Sequence, residues 1–284
     1  MNPLISVVIP TYNRAHIIKD SIDSVLAQDY DNIELIIVDD RSSDNTKEII
    51  DSYHNNRIRY IYNDTDKHGA GNARNIGICE ATGEYIAFND SDDKWLPGKL
   101  TSQYSFLKKT NSDIVFCLMK LGSMIIPDRF SDKKCTLEYI LRGNIPGPPS
   151  IMGKAECFKN TLFDEDMESY EDNDWVIRLF EKYKISFLKE VYVDIHASEN
   201  SVSANYERNA RMLEYIMDKH KRLYACYKKS RAAAVNQIKY TNALTVDQKN
   251  QAKLKESRRT SDYWAFILGR INRYYCVMNM MRYR

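Results

Sequence analysis

Apolar residues along this chain come in short β-branched runs, and between the runs they recur every three or four positions. Residues 4–10 (LISVVIP) form the first run, closed by a proline, which predicts a buried strand. Residues 14–28 follow with Ile17, Ile18, Ile22, Val25 and Leu26 at helical spacing. The alternation continues with strands over 33–38 (IELIIV), 58–62 (IRYIY), 85–88 and 114–118, and helices over 46–53, 71–81 and 97–109. Strands and helices alternating at this spacing predict an α/β layered domain on a mostly parallel sheet. After about residue 120 the rhythm weakens. A short helix over 137–142, a Gly/Pro-rich loop over 143–150 (GNIPGPPS), a helix over 173–183 and strand-like segments over 185–195 complete the body. From residue 206 the pattern reads helical to the end, with breaks expected near 241–247 and 257–261. This divides the chain into a body, 1–207, and a helical tail, 208–284.

At 284 residues and 43% hydrophobic content, the chain is long enough to bury a full core. Only 10 glycines and 7 prolines exclude a collagenous or low-complexity chain. The net charge of +2 conceals a division: residues 208–284 carry 18 Lys/Arg against 5 Asp/Glu, and residues 1–207 carry 23 against 34. A basic tail on an acidic body points to a polyanionic partner: nucleic acid, anionic lipid or a neighbouring acidic surface. Six dispersed cysteines without a CxxC pair argue against a disulfide framework and for a reducing compartment. The opening MNPLISVVIP lacks the basic start and cleavage pattern of a secretory leader, and no stretch approaches the roughly 18 apolar residues of a membrane span. The expectation is a cytoplasmic protein.

In open α/β sheets, ligands sit in the crevice at the carboxyl ends of the strands. The reactive residues of this chain fall at those ends. The first strand runs into Pro10, Thr11, Tyr12, Asn13 and Arg14, the second into Asp39 and Asp40, and the fourth into Asn89, Asp90, Ser91, Asp92 and Asp93. Asp90-Ser91-Asp92 is a D-x-D whose alternating carboxylates suit a divalent cation with open positions for phosphate oxygens. The same residues also fit a solvated acidic loop or a cap for the helix after Pro97. Asp39 fits either a turn cap or an acceptor for the N3–H of a uracil ring. The glycines of KHGAGNARNIG (67–77) lack the order of a dinucleotide or P-loop motif. They suit a plain helix start, or one that faces a pyrophosphate together with Arg74.

Taken in order, PTYNR (10–14), VDDRSSD (38–44), GNARN (71–75) and DSDD (90–93) resemble the family 2 glycosyltransferases, inverting enzymes of the GT-A fold, across roughly residues 3–203. The resemblance implies a Rossmann-like nucleotide-binding sheet flanked by helices, with the helical C-terminal extension lying outside it. It implies a nucleotide-sugar donor, most readily a UDP-sugar, and Mn²⁺ or Mg²⁺. By position Pro10, Thr11, Tyr12 and Arg14 would belong to the donor site, with Thr11 and Tyr12 flanking the base. Asp39 would hold the uracil, Arg74 would face the pyrophosphate, Asp90 would sit near the ribose and Asp92 would bind the metal. The cation would neutralise charge on the leaving diphosphate. ESYEDNDWVIR (168–178) looks like the family's E-D motif. An inverting transfer needs a base for the proton of the attacking hydroxyl. Asp172 is the first candidate and Glu171 the second, although both also suit the start of a helix. His196, followed by Ser201 and Ser203, matches a segment that the family places near the metal or diphosphate, which makes His196 a second candidate metal ligand, although it also suits a structural histidine at a strand end; Asp194 stands where the family commonly has a basic residue. Loop 145–150 suits either a wall of the acceptor pocket or a stiff connector.

In the tail, Trp264, Ile267, Leu268, Ile271, Tyr274, Tyr275, Met278 and Met281 follow helical spacing among Arg270, Arg273, Arg282 and Arg284. This suits a helix lying on an anionic membrane surface, or one packed on the body or at a homodimer interface. No zinc or RNP-like pattern supports nucleic acid as the partner. The expected activity is transfer of a sugar to a hydroxyl of a glycan or lipid-linked glycan in bacterial surface polysaccharide synthesis, peripheral to the inner face of the cytoplasmic membrane. A nucleotidyltransferase is disfavoured because the first strand leads to TYNR rather than to a Gly-rich loop. A non-catalytic binding module is disfavoured by the D-x-D and E-D pair.

Overall fold

Ile5–Thr11 forms β1, buried along its whole length, as expected for a strand covered on both faces of a parallel sheet. The computed structural model describes residues 2–127, 135–143, 145–196 and 205–255, with the helical backbone alone from 247. β1 has parallel neighbours on both sides, β2 (Ile33–Asp39) and β4 (Tyr85–Phe88), with Thr11 opposite Asp39 and Val8 opposite Phe88. β3 (Ile58–Tyr62) lies parallel to β2. The connections are α1 (Ile18–Leu26), α2 (Thr46–Asp51) and α3 (Ala70–Glu80). The chain therefore winds outward from β1 to β3, then returns across β1 to β4. The reversal creates a switch point between β1 and β4, where adjacent loops diverge and leave a crevice.

Beyond β4 the sheet becomes mixed. The order is β3-β2-β1-β4-β8-β6-β9-β5, where β5 is Lys94–Trp95, β6 Ile114–Leu121, β8 Ile151–Lys154 and β9 Ile185–Asp194, and β7 (Met124–Ile126) pairs with β6. β8 is antiparallel to both β4 and β6, β5 is antiparallel to β9, and β6 and β9 are parallel. The expected mostly parallel sheet is therefore corrected: only the β3-β2-β1-β4 half is uniformly parallel. The antiparallel additions β5, β7 and β8 are two to four residues long, too short to show a period. α4 (Lys99–Thr110), α5 (Leu137–Ile140) and α6 (Ala155–Lys159) complete this half.

Alternating strand residues feed two cores, one on each face. Val7, Ile9, Leu35 and Ile37 pack beneath α1 and α4 with Ile22 and Leu100. Val8, Ile36, Val38 and Phe88 pack with α3 and with Trp175 and Val176 of α7 (Glu171–Lys182). Gly77 lets α3 approach the sheet, because a Cβ there would stand 2.4 Å from Val8 Cγ1. Gly77→Ala is expected to destabilise the protein by about 1–3 kcal/mol through overpacking. Urea unfolding checks this, as a lowered midpoint with an unchanged slope.

Leu213 and Ile216 of α8 (Tyr206–Lys219) and Tyr224 of α9 (Lys221–Cys226) belong to the same core cluster as Trp175. α10 then runs unbroken over Lys228–Lys255, so the break expected near 241–247 does not occur. Thr241 and Thr245 turn their hydroxyls onto the carbonyls of Gln237 and Thr241, which satisfies them inside the helix. The break expected near 257–261 and the amphipathic stretch 261–284 lie outside the described residues, as do Ser201 and Ser203. Among the described residues, no helix is long and apolar enough to cross a membrane.

Candidate active site

A cavity of about 320 Å³ opens at the switch point. Its lining draws on every element that ends there. β1 supplies Pro10, Thr11 and the following Tyr12, the end of β2 supplies Asp40, and the start of α3 supplies Gly69, Ala70, Ala73 and Arg74. Asp90, Ser91, Asp92 and Asp93 come from the loop after β4, and Glu171 and Asp172 from the first turn of α7. The remaining wall is apolar: Met119 and Leu121 of β6, Ile126 of β7, Ile195 after β9, and Gly147, Pro148 and Pro149. Of the sequence candidates, Pro10, Thr11, Tyr12, Arg14, Arg74, Asp90, Asp92, Glu171 and Asp172 meet here.

Asp39, the residue expected at the base, is not in the lining. It is buried, and its carboxylate accepts the Ser42 N–H at 2.8 Å and the Tyr60 hydroxyl at 2.8 Å. That contact pushes the Tyr60 phenol well above its ordinary range, burial first and the Asp39 hydrogen bond second. Successive strand residues face opposite sides, so Asp40 is the one turned toward the crevice. Its carboxylate accepts Asn63 Nδ2 at 2.7 Å and the Gly69 N–H at 2.7 Å, with His68 Nδ1 at 3.5 Å. Gly69 has φ of 98°, a conformation that favours glycine, and it presents its N–H to Asp40 at the start of α3.

Arg74 is the electrostatic centre of the cavity. Its guanidinium is buried between two carboxylates, with Asp90 Oδ1 at 2.6 Å and Glu171 Oε1 at 3.4 Å. Burial by itself would lower the Arg74 pKa, but Asp90 and Glu171 outweigh it and raise it above the ordinary guanidinium value. Arg74 thus joins the loop after β4 to the start of α7. Tyr170 enters α7 in the left-handed region, φ 59°, which is uncommon for a residue with a side chain. Asp172 is nearly buried and accepts the Asn173 N–H at 3.0 Å.

The residues suit a divalent cation in one specific way. Among the described residues no group of three or more His, Cys, Asp or Glu could hold a metal, so a closed all-protein cage is not present there. Asp90 and Asp92 share one wall of the cavity, and one or two carboxylates completed by substrate phosphates is how magnesium-type ions are commonly held. The donor set fits an ion that arrives with a diphosphate. His196 is not in the lining; its backbone N–H donates to Asp93 Oδ1 at 3.1 Å. Asp194 pairs with Lys120 at 3.1 Å, which accounts for an acidic residue at that position.

Sequence reading named Asp40 at a strand end without giving it a role, and missed the Gly69 N–H and the apolar wall of Met119, Leu121, Ile126 and Ile195. Strand alternation was the available signal for Asp40. Nothing in sequence spacing brings residues 119–126 to the cavity, because they arrive through β6–β8 and β6–β9 pairing. Of the two readings of loop 145–150, the cavity wall is the one that its Gly147, Pro148 and Pro149 occupy.

A mixed sheet of this order, with flanking helices and acidic strand ends around one cavity, is a GT-A-like fold. The chain belongs to glycosyl transferase family 2, whose pattern it matches over residues 6–148. An uncharacterized glycosyltransferase of Rickettsia prowazekii (strain Madrid E) is 35% identical over 217 residues, 72% of this chain and 67% of that one. The Escherichia coli UDP-Glc:alpha-D-GlcNAc-diphosphoundecaprenol beta-1,3-glucosyltransferase WfgD is 43% identical over 113 residues, 40% of this chain and 44% of that one. The crystal structure of S. aureus TarS 1-349 with UDP-GlcNAc superposes with a TM-score of 0.64 at 25% identity, covering 75% of this chain and 66% of that one. The mannosyltransferase PcManGT of Pyrobaculum calidifontis, in complex with GDP-Man and Mn²⁺, has a TM-score of 0.67 at 19% identity, covers 99% of this chain and 85% of that one, and bears on the fold alone.

Proposed function

We propose that this glycosyltransferase moves a sugar, with inversion, from a UDP-sugar to a hydroxyl of a lipid-linked glycan in bacterial surface polysaccharide synthesis. The observation that carries the proposal is the meeting of three groups in one cavity: Tyr12 with Asp40, the D-x-D carboxylates, and Glu171 with Asp172. Each answers one chemical need. Tyr12, 54% exposed at the cavity lip, offers an aromatic face for a base. Asp40 takes over the role first expected of Asp39, because a carboxylate accepts about four hydrogen bonds and can add one from a uracil N3–H. Arg74 and the start of α3 face the diphosphate. Asp92, with Asp90, would hold Mn²⁺ or Mg²⁺, which when bound neutralises charge on the leaving diphosphate. Asp172 takes the proton from the acceptor hydroxyl. UDP and the lipid-linked acceptor are supported by the donor and acceptor in the name of WfgD and by the UDP-GlcNAc bound to TarS. A lipid-linked acceptor would place the reaction at the inner face of the cytoplasmic membrane.

A thermal-shift panel of UDP-, GDP-, dTDP- and CMP-sugars, with and without Mn²⁺, tests this reading. Ligands that bind only the folded state raise the melting temperature, by about 2.7 kcal/mol of stabilisation at a hundredfold excess over Kd. The expected result is a metal-dependent shift with a UDP-sugar that Asp92→Asn removes. A panel in which no nucleotide sugar shifts the wild type in the presence of Mn²⁺ would overturn the proposal.

A further inference from the structure

Lys99 opens α4 and is fully buried. Two costs converge on it. An ammonium out of water is expensive without a counter-charge, and among the described residues no carboxylate lies within ion-pair distance of Lys99. A cation at the start of a helix also faces the positive end of the helix dipole. The first cost shows in the ammonium pKa, which burial pushes down to about 8, opposed in part by Cys117. A neutral side chain at this position would avoid both costs.

The contacts of Lys99 show what its presence achieves. Nζ lies 4.0 Å from the centroid of the Trp95 ring, an attraction between cation and ring face. Trp95 sits in β5, two residues past Asp93, and so continues the carboxylate loop. Nζ also donates to Gln103 Oε1 at 2.8 Å, and Gln103 Nε2 donates to the Ser150 carbonyl at 2.8 Å. Both Gln103 and Ser150 are fully buried. Ser150 closes the 3-10 turn Pro148–Ser150 and donates its hydroxyl to the Gly147 carbonyl at 2.7 Å. Gly147, Pro148 and Pro149 line the same cavity as the D-x-D loop. An ammonium is therefore strung between the two walls. Removing either contact takes away this side-chain link and leaves the β4–β8 pairing between them, although neither contact touches the cavity itself.

We propose that Lys99 is a positioning residue for sugar transfer, holding the 90–93 carboxylate loop and the 147–149 wall in register through Trp95 and Gln103. The inference rests on the cavity being the transfer site. One wall carries the donor end and the other borders the acceptor, so their separation sets how the two reactants meet. A misplacement of about 1 Å at such a site costs on the order of a hundredfold in rate, whereas binding of the donor to its own wall changes little.

The test compares Lys99→Met, Lys99→Arg and Gln103→Glu in the full chain, with Gly77→Ala as a control destabilised at the α3–β1 contact rather than at the tether. Lys99→Met removes the tether and the buried charge together. Gln103→Glu gives the ammonium a counter-charge but takes away the donor to Ser150. Both are expected to keep a melting temperature within a few degrees of wild type. Both should lose about 10- to 100-fold in kcat, with the donor KM changed less than about threefold. Lys99→Arg, which keeps the cation over Trp95 and a donor to Gln103, should recover most of the rate. Hydrogen exchange supplies a readout independent of activity: peptides spanning 91–95 and 147–151 should exchange faster in both tether variants and not in Gly77→Ala. Wild-type kcat and wild-type exchange in Lys99→Met and Gln103→Glu would overturn the proposal, as would a rate loss that merely follows stability across all four variants. Should Lys99→Met fail to fold, Gln103→Glu decides alone. Absence of transfer by the wild type with every donor would count against the proposed function, and exchange at the two walls would still judge the tether.

Discussion

Asp172→Asn is expected to lower kcat by about a thousandfold while leaving donor binding intact. The expectation follows from comparing the two acidic residues at the start of α7. Glu171 pairs with Arg74 at 3.4 Å, and that contact stabilises the buried guanidinium. A carboxylate committed to a buried arginine is a poor proton acceptor, since protonating it would leave the cation short of a partner. Asp172 acts on Arg74 less strongly than Asp90 and Glu171 do, and it is buried and lines the cavity. Its carboxylate accepts the Asn173 N–H, which an asparagine carbonyl oxygen accepts equally well. The helix start therefore survives the substitution and the basicity does not. General-base removal typically costs 10²–10⁴ in rate. Steady-state kinetics together with calorimetric titration of UDP and Mn²⁺ separate the two effects. Glu171→Gln should behave differently, with a smaller loss in kcat and a weaker hold on Arg74 and Asp90. If Glu171→Gln loses more rate than Asp172→Asn at equal stability, the two roles exchange.

How much of this was legible in the chain depends on the range over which each feature is decided. β1 to β4 and α1 to α4 could be read because local periodicity and β-branched runs decide them, and their expected bounds agree with the observed ones to within a few residues. β5, β7 and β8 are set by pairing with distant strands and leave no local trace. The D-x-D loop and the E-D pair were legible as chemistry, since clustered carboxylates at strand and helix ends need a reason. Which of Asp39 and Asp40 lines the cavity turned on one residue of strand phase: Asp40 lines it, and Asp39 accepts the Tyr60 hydroxyl from β3. The Arg74–Glu171 pair joins residues 97 apart, and no spacing argument reaches that far. Lys99 was invisible for a different cause. Lysines are almost never fully buried, so a lysine on an amphipathic helix is read as solvent-facing, and only the fold reveals the exception.

Asp174 shows the same limit and leads to the largest expected effect on stability. In sequence it is one more acid at a helix start. In the structure it has no exposed side-chain surface and holds three basic groups: His220 Nε2 at 2.8 Å, Lys219 at 3.0 Å and Arg178 at 2.7 Å. Lys219 also reaches Asp164 at 2.5 Å. The Lys219 and His220 bonds fasten the first turn of α7, two residues past Asp172, to the end of α8, while Arg178 lies one turn further along α7 itself. Asp174→Ala should therefore destabilise by about 3 kcal/mol, because it removes a fully buried carboxylate from Arg178, Lys219 and His220, of which, among the described residues, Lys219 alone keeps a second acid, Asp164. In a chain of this size that corresponds to a drop of roughly 10 °C in melting temperature. The pH dependence follows with a definite sign. Burial by itself would raise the Asp174 pKa, but the His220 hydrogen bond and the charges of Arg178 and Lys219 outweigh it and hold the carboxyl down at about 2. A carboxyl depressed in the folded state contributes stability that is present above its unfolded pKa of about 4 and is lost as pH falls toward 2. The gap in stability between wild type and Asp174→Asn should thus be constant from pH 7 to about 5 and close below about 4. Because the network ends on α8, the same variant should speed exchange of the α7 amides around Asp172 and lower transfer rate at temperatures well below unfolding. Equal melting temperatures for wild type and Asp174→Ala at pH 7 would show that α7 is held by its apolar face alone, through Trp175, Val176 and Leu179.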